Sequence, residues 1–210
     1  MGLQYSITAI GSVILQASVN TLGSMAVASV TASNKVSMFF CCAFDAMGST
    51  MSTYAGQNLG AGELKRITKG LLSCCVIGLV YSLLAFGILY LFSSQIALLF
   101  LDADEIDILG NVRLMLIINS AFYFPLALVG ILRFTIQGLG HSRLAILAGV
   151  CEMAGRGLAG MFLIPAAGYI GVCFASPAAW ILADLFLIPA YIYVMKVLNR
   201  QKEGANPKTA

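Results

Sequence analysis

Charge is what this sequence has least of. Twelve Lys and Arg and nine Asp and Glu are spread over 210 residues, 10% of the chain, where a soluble domain carries about a quarter. So few charges cannot cover a water-facing surface, which excludes a water-soluble enzyme. The mean hydropathy of +0.91 excludes disorder, which needs low hydrophobicity and high charge. The net charge of +3 is too small and too dispersed for a nucleic-acid partner. Histidine occurs once, at His141, so this chain alone cannot build a His-based metal site, and neither metal nor cofactor is expected. Proline is scarce at five, whereas glycine reaches 21. That balance suits packed membrane helices, where small residues let backbones approach.

The cysteines fit the same picture. Cys41, Cys42, Cys74, Cys75, Cys151 and Cys173 all lie in apolar runs with no C-x-x-C or Cys/His spacing. Adjacent cysteines on one helix cannot readily bridge, so all six read as small core hydrophobes.

A membrane helix needs about 20 mostly apolar residues. Five runs meet this: Val36 to Tyr54, Gly70 to Phe92, Val112 to Leu132, Leu144 to Pro165, and Ile170 to Val194. A weaker run, Gly2 to Val19, is rich in Ser, Gly, Gln and Thr, yet no charge precedes Lys35. It reads as a sixth helix that faces protein or water along much of its surface. Its start lacks the basic residues of a signal peptide. A myristoylation pattern at Met1-Gly2 is set aside, because six spans need no lipid anchor. The expected fold class is all-α, a polytopic membrane protein. Residues 1–198 form a six-transmembrane-helix bundle, and residues 199–210 a polar, disordered tail.

Loop charge predicts orientation. Three connections are basic: Glu63 to Lys69, Arg133 to Arg143, and Lys196 to Lys208. The acidic segment Asp102 to Asp107 falls on the other side, with Lys35 and Arg113. Both termini are therefore expected in the cytoplasm, and the chain in the plasma membrane.

Ionisable groups inside spans cost a few kcal/mol each and normally face a bundle interior or a cavity. Asp45 lies mid-span, with Gly48, Ser49 and Ser52 continuing a small, polar face. It reads equally as a proton or cation site and as a carboxyl bonded to a neighbouring helix. Glu152 and Arg156 are four apart, so they meet on one helix face as an ion pair. That pair is first a support; its functional version has Arg156 holding Glu152 until a substrate cation competes. Asp184 sits between Pro177 and Pro189, whose missing N–H groups free carbonyls toward a cavity. It reads as part of a moving element or as a partner for Arg133 or Arg156. Pro125 predicts a kink. Gln16, Asn20 and Asn119 suit interhelical hydrogen bonds as well as ligand contact. The aromatics of 122–124 could line a pocket for flat cations, and those of 191–193 suit the interface belt.

The stretch Tyr54-Ala55-Gly56-Gln57-Asn58-Leu59-Gly60-Ala61-Gly62-Glu63-Leu64-Lys65-Arg66 is more specific. It reads as a glycine-rich exit from the membrane followed by a short amphipathic segment. Its Gly56, Gln57, Asn58, Gly60, Ala61 and Arg66 resemble the G-Q-N-x-G-A-G…R signature of the multidrug and toxin extrusion (MATE) family. Other family-like pieces follow in order. They are Gln16…Val19-Asn20…Gly23, Leu99-Phe100…Asp102, Arg133…Gln137-Gly138-Leu139-Gly140, and Gly168-Tyr169-Ile170-Gly171-Val172. Together they cover about residues 2 to 200.

The resemblance implies export of drugs or metabolites, driven by Na⁺ or H⁺ as coupling ion, by alternating access between two six-helix lobes. The motif order is similar to the second lobe of the family's twelve-helix proteins. This chain is then expected to be a C-terminal half, completed by a missing N-terminal lobe or a homodimer partner in the membrane lipid. Some branches of the family carry acids in the first and fourth helices of this lobe. Here those helices offer Gln16, Asn20 and Asn119, which leaves the coupling site open among Asp45, Glu152 and Asp184. Arg156 is the only base read as mid-span, which favours cationic or neutral amphiphilic small-molecule substrates. Two other readings stay open: a lipid-linked-oligosaccharide flippase of the same superfamily, and a non-transporting half-length subunit. An intramembrane enzyme would need a nucleophile and base in register, and none is visible.

Overall fold

The computed structural model describes residues 2–99 and 108–205, and those residues are helical with short turns between. The elements are α1 (Gly2–Asn20), α2 (Ser24–Gly60), α3 (Leu64–Leu98), α4 (Leu109–Ala121), α5 (Tyr123–Gly138) and α6 (Ser142–Leu158). A π-helical turn (Ala159–Leu163), α7 (Ile164–Ala167) and α8 (Tyr169–Ala205) complete the chain. Among the described residues, α2, α3, the α6–α7 unit and α8 are each long and apolar enough to cross a membrane. The bent α4–α5 pair qualifies as one further span. The expected sixth span, α1, is shorter. It runs alongside α6 in the same direction: Gly11 lies against Met153 and Gly160 against Ser18. The chain is an all-α membrane bundle.

Helix ends are set by glycine. At the end of α2, Glu63 N–H donates to Asn58 O (2.8 Å) and Gly62 N–H to Leu59 O (3.0 Å). At the end of α5, His141 N–H donates to Ile136 O (3.1 Å) and Gly140 N–H to Gln137 O (3.0 Å). Both are Schellman caps, which need a left-handed residue after the last turn; Gly62 and Gly140 supply it at φ 72° and 84°. Two of the glycine-rich motifs are thus helix terminators. The turn after α2 is so tight that α3 begins at Leu64. The basic residues Lys65, Arg66 and Lys69 therefore belong to α3, and no separate amphipathic segment intervenes.

Prolines shape the rest. Pro125 has no N–H to offer the Ala121 carbonyl, and its ring crowds that group. The chain bends by 51° at the α4–α5 junction, where Phe122 leaves helical geometry at φ −106°, ψ 17°. Ahead of Pro165 the helix widens into the π turn, and Pro177 and Pro189 lie inside a continuous α8.

The main core lies between α2, α3, α4–α5 and α8, around Val36, Phe44, Ile67, Leu89, Leu116, Tyr123, Ile131 and Leu187. One face of α3 presents Leu72, Val76, Val80, Leu83 and Leu91 outward, as a lipid-facing helix does. Gly56 faces the Gly138 carbonyl, and Lys202 Nζ donates to Gly62 O at 2.6 Å. These contacts gather the ends of α2, α5 and α8, and with them the three basic connections, at one end of the bundle.

Four expectations change. The tail expected to be disordered from residue 199 continues α8 to Ala205, docked through Lys202; residues 206–210 lie outside the described residues. Arg133, assigned to a connection, lies within α5, because the helix runs on to its Gly140 cap. Of the cysteines read as core, Cys42 is exposed and only Cys173 is fully buried. Tyr191, assigned to an interface belt, is buried, with its hydroxyl 3.3 Å from that of Thr68. The acidic segment Asp102 to Asp107 lies outside the described residues.

Candidate functional site

The site begins with α6, whose 3.6-residue period puts Glu152 and Arg156 on one face. Arg156 Nη2 donates to Glu152 Oε1 at 2.7 Å. From α5, Arg133 Nη2 donates to the other oxygen, Oε2, at 2.6 Å. One carboxylate therefore bridges two guanidiniums, with Glu152 only 4% exposed. Glu152 lies ten residues into α6, about 15 Å along it. On its α8 side, Gly155 makes the approach possible: a Cβ there would come within 2.8 Å of the Ala179 backbone. On its α1 side, Arg156 Nη1 donates to the Thr8 carbonyl at 3.4 Å.

The triad opens on a cavity of about 580 Å³. Asp45 of α2 lines the same cavity as Arg133, Glu152 and Arg156, together with Phe44, Phe134, Met38 and Trp180. Asp45 is exposed and forms no ion pair among the described residues. An adjoining cavity of about 300 Å³ is lined by Gln16, Asn34, Ser37, Asn119, Tyr123 and Ser176, by apolar side chains such as Leu15, Val30 and Met115, and by Arg156. Ser12, Cys41, Arg156 and Trp180 border both cavities, so the two are chambers of one cleft.

Several buried polar atoms here have no hydrogen-bond partner within the protein. Ser37 Oγ, Asn119 Oδ1 and Tyr123 Oη border the smaller chamber and Arg133 Nε the ionic one, while Gln137 Oε1 and Asp184 Oδ1 belong to residues that line neither. Buried polar groups normally find partners, and four of these six atoms belong to residues that line the cleft.

The candidates read from the sequence divide as follows. Asp45, Glu152 and Arg156 line the ionic cavity, and Gln16 and Asn119 the smaller one. Asp184 is buried on α8, one turn after Trp180, within electrostatic reach of Arg133 and Glu152. Asn20 is apart from both, accepting a bond from Gln16 Nε2 at 3.0 Å near the end of α1. Gly56, Gln57, Asn58, Gly60, Ala61 and Arg66 form the α2–α3 turn, where Asn58 Nδ2 donates to Tyr54 O (2.8 Å) and Tyr54 Oη to Arg66 O (3.3 Å). That arrangement is structural. Sequence reasoning named Arg133 only as a partner for Asp184 and not for Glu152, and it missed Trp180, the place of Cys41 in the cleft and the Thr8–Ser12 half of a polar stripe. Thr8, Ser12 and Gln16 recur every four residues, a spacing that marks one helix face. The premise that Arg156 is the sole mid-span base is corrected, because Arg133 shares its carboxylate.

The MatE family profile matches residues 1–163. No curated relative matches the sequence. Among solved structures, an outward-facing multidrug resistance MATE transporter of the MOP superfamily superposes with a TM-score of 0.87 at 18% identity, covering 94% of this chain and 45% of the other. An inward-facing conformation of such a transporter gives 0.82 at 17% identity, covering 99% and 47%. A MOP-superfamily transporter from Pyrococcus furiosus, described as having reversed binding-pocket polarity, gives 0.80 at 16% identity, covering 95% and 45%. The chain spans less than half the length of these structures, as one lobe would.

Proposed function

Because the chain belongs to the MatE family of transporters, we propose that it forms one wall of the central cleft of a secondary-active exporter. The exporter moves cationic or neutral amphiphilic molecules outward by alternating access, in exchange for Na⁺ or H⁺. The other wall comes from an N-terminal lobe or from a second copy of this chain. The basic end of the bundle, where α2, α5 and α8 finish, faces the cytoplasm, as loop charge favours.

One observation carries the substrate class. Asp45 stands without an ion-pair partner on the cavity wall among Phe44, Phe134 and Trp180, while both guanidiniums are engaged by Glu152. A carboxylate framed by aromatic rings attracts organic cations through charge and ring quadrupoles together. The test is reconstitution of the two-lobe transporter in liposomes with an imposed ion gradient. A planar fluorescent cation should be transported, and Asp45→Asn should slow this about tenfold at sub-saturating cation while the protein still folds.

A second reading follows from Arg133 and Arg156 lining the same cavity: an anionic head group, as in a lipid-linked flippase. Transport of an anionic amphiphile, lost on Arg156→Gln and indifferent to Asp45→Asn, would favour it over the first.

A further inference from the structure

Resting on the transport reading above, we propose that the smaller chamber is a second substrate subsite, which takes an uncharged hydrogen-bonding group such as a primary carboxamide. The substrate is then bipartite, with its cationic centre at Asp45 and its neutral group beside Ser37, Asn119 and Tyr123. Those three residues line the smaller chamber, and each has a buried side-chain oxygen with no hydrogen-bond partner. Asn119 is 5% exposed and Tyr123 is fully buried. The two flank the bend at Phe122 and still line one chamber. Tyr123 leans toward Ser37 across the α2–α5 contact without forming a hydrogen bond to it. A buried polar group left unpaired costs stability, and an amide would pair all three. Asn119 Oδ1 accepts, the Tyr123 phenol donates, and the Ser37 hydroxyl does either.

Charge decides against other guests. Among the described residues no carboxylate lines this chamber, so an ammonium group is better held at Asp45 in the ionic cavity. The charged residue that does line it is Arg156. Its two terminal nitrogens are already bonded to Glu152 Oε1 and to the Thr8 carbonyl, so an anion gains little there. The chambers share Ser12, Cys41, Arg156 and Trp180, so one molecule can occupy both. Helix α2 sets the spacing. Asn34, Ser37, Cys41 and Asp45 follow one another at three or four residues, the repeat of one helix face. They line the smaller chamber first and the ionic one last, with Cys41 on both. Ser37 precedes Asp45 by eight residues, about 12 Å along the helix. A fitting substrate carries its amide at about that distance from its cationic centre. A site that hydrogen-bonds such a group rejects an analogue of the same shape without it.

The test uses the full chain, purified in detergent, and two matched probes read by isothermal titration. Each probe carries a trimethylammonium group on a flexible chain spanning about 12 Å. One chain ends in a primary carboxamide, the other in an isopropyl group of similar shape. The wild type should bind the carboxamide probe about tenfold more tightly than the isopropyl one. A pair with much shorter chains, unable to reach both chambers, should show no such preference. Tyr123→Phe and Asn119→Leu should each bring the ratio toward one while leaving isopropyl binding unchanged. Tyr123→Phe removes only an unpartnered hydroxyl, so its melting temperature should not fall; a fall would place that hydroxyl in a bond within the protein and overturn the subsite. Asp45→Asn should weaken both probes alike and keep their ratio. Equal affinities that still depend on Asp45, or a preference retained in both Tyr123→Phe and Asn119→Leu, would overturn the subsite alone. A preference with both affinities indifferent to Asp45→Asn would uphold the subsite and overturn the cation reading alone. Binding of neither probe would overturn both.

Discussion

Arg133 and Glu152 lie 19 residues apart in sequence and 2.6 Å apart in space, a bond that ties α5 to α6 at the wall of the ionic cavity. Arg156 completes the triad from one turn further along α6. A lone i,i+4 pair would only offset its own desolvation. The added bond from α5 makes the triad a tertiary contact, so its integrity reports how the lobe is packed.

Replacing Glu152 with Gln leaves two buried guanidiniums sharing a neutral partner. Removing one member of a buried ion pair costs about 3–5 kcal/mol. Thermal unfolding in detergent should show a loss of that order for Glu152→Gln, and a variant as stable as the wild type would mean the triad contributes little.

Exchanging Glu152 and Arg156 distinguishes an isolated pair from a triad. An isolated pair tolerates the swap. Here the swap brings a guanidinium against Arg133, so the doubly swapped variant should express poorly or unfold early. Adding Arg133→Glu inverts the whole triad and should recover folded protein by size-exclusion chromatography. Normal folding of the double swap would refute the three-body arrangement.

Within the glycine motifs, positions differ in what they tolerate. A Cβ on Gly138 would collide with the Ser52 carbonyl across the α2–α5 contact, whereas one on Gly60 meets nothing within 4 Å. Gly138→Ala should destabilise by about 1–3 kcal/mol, the range for overpacking. Gly60→Ala should change the melting temperature little. Equal effects at the two sites would rule out steric contact as the reason for the glycine.

Cys41 borders both chambers of the cleft and is partly buried. With the other five cysteines replaced, a small membrane-permeant maleimide should label it slowly, and a bound organic cation should slow it further. Substrate-independent labelling would place the substrate elsewhere.

Asp45 offers a graded check on the substrate class. One unit charge in a partly hydrated cavity contributes about 1–2 kcal/mol, so Asp45→Asn should weaken binding of an organic cation about tenfold. Glu at this position should restore most of it. Isothermal titration with the cation would show either result.

The membrane bundle was legible in the chain because each span carries its own signal: a long apolar run, a terminating glycine, a proline where the helix bends. Glu152 and Arg156 were legible as a pair because four residues is a helical repeat. Schellman glycines at Gly62 and Gly140 announced where α2 and α5 stop, and the second of these could have told that Arg133 lies inside a helix. Asp184 was legible as a partner for Arg133 or Arg156, but neither Pro177 nor Pro189 says which neighbour α8 turns it toward.

The sequence by itself determined what is local: helix content, the places of the turns, the scarcity of charge that commits the chain to lipid, and the short list of buried ionisable groups. Only the tertiary structure decided which of those groups share a space. Arg133 meets Glu152, and Asp45 lines the same cavity, because α2, α5, α6 and α8 converge there. That convergence depends on close approaches such as Gly155 against Ala179 and Gly138 against Ser52. Helix periodicity orients a side chain about its own axis, and the choice of neighbour is made by packing among segments far apart in the chain.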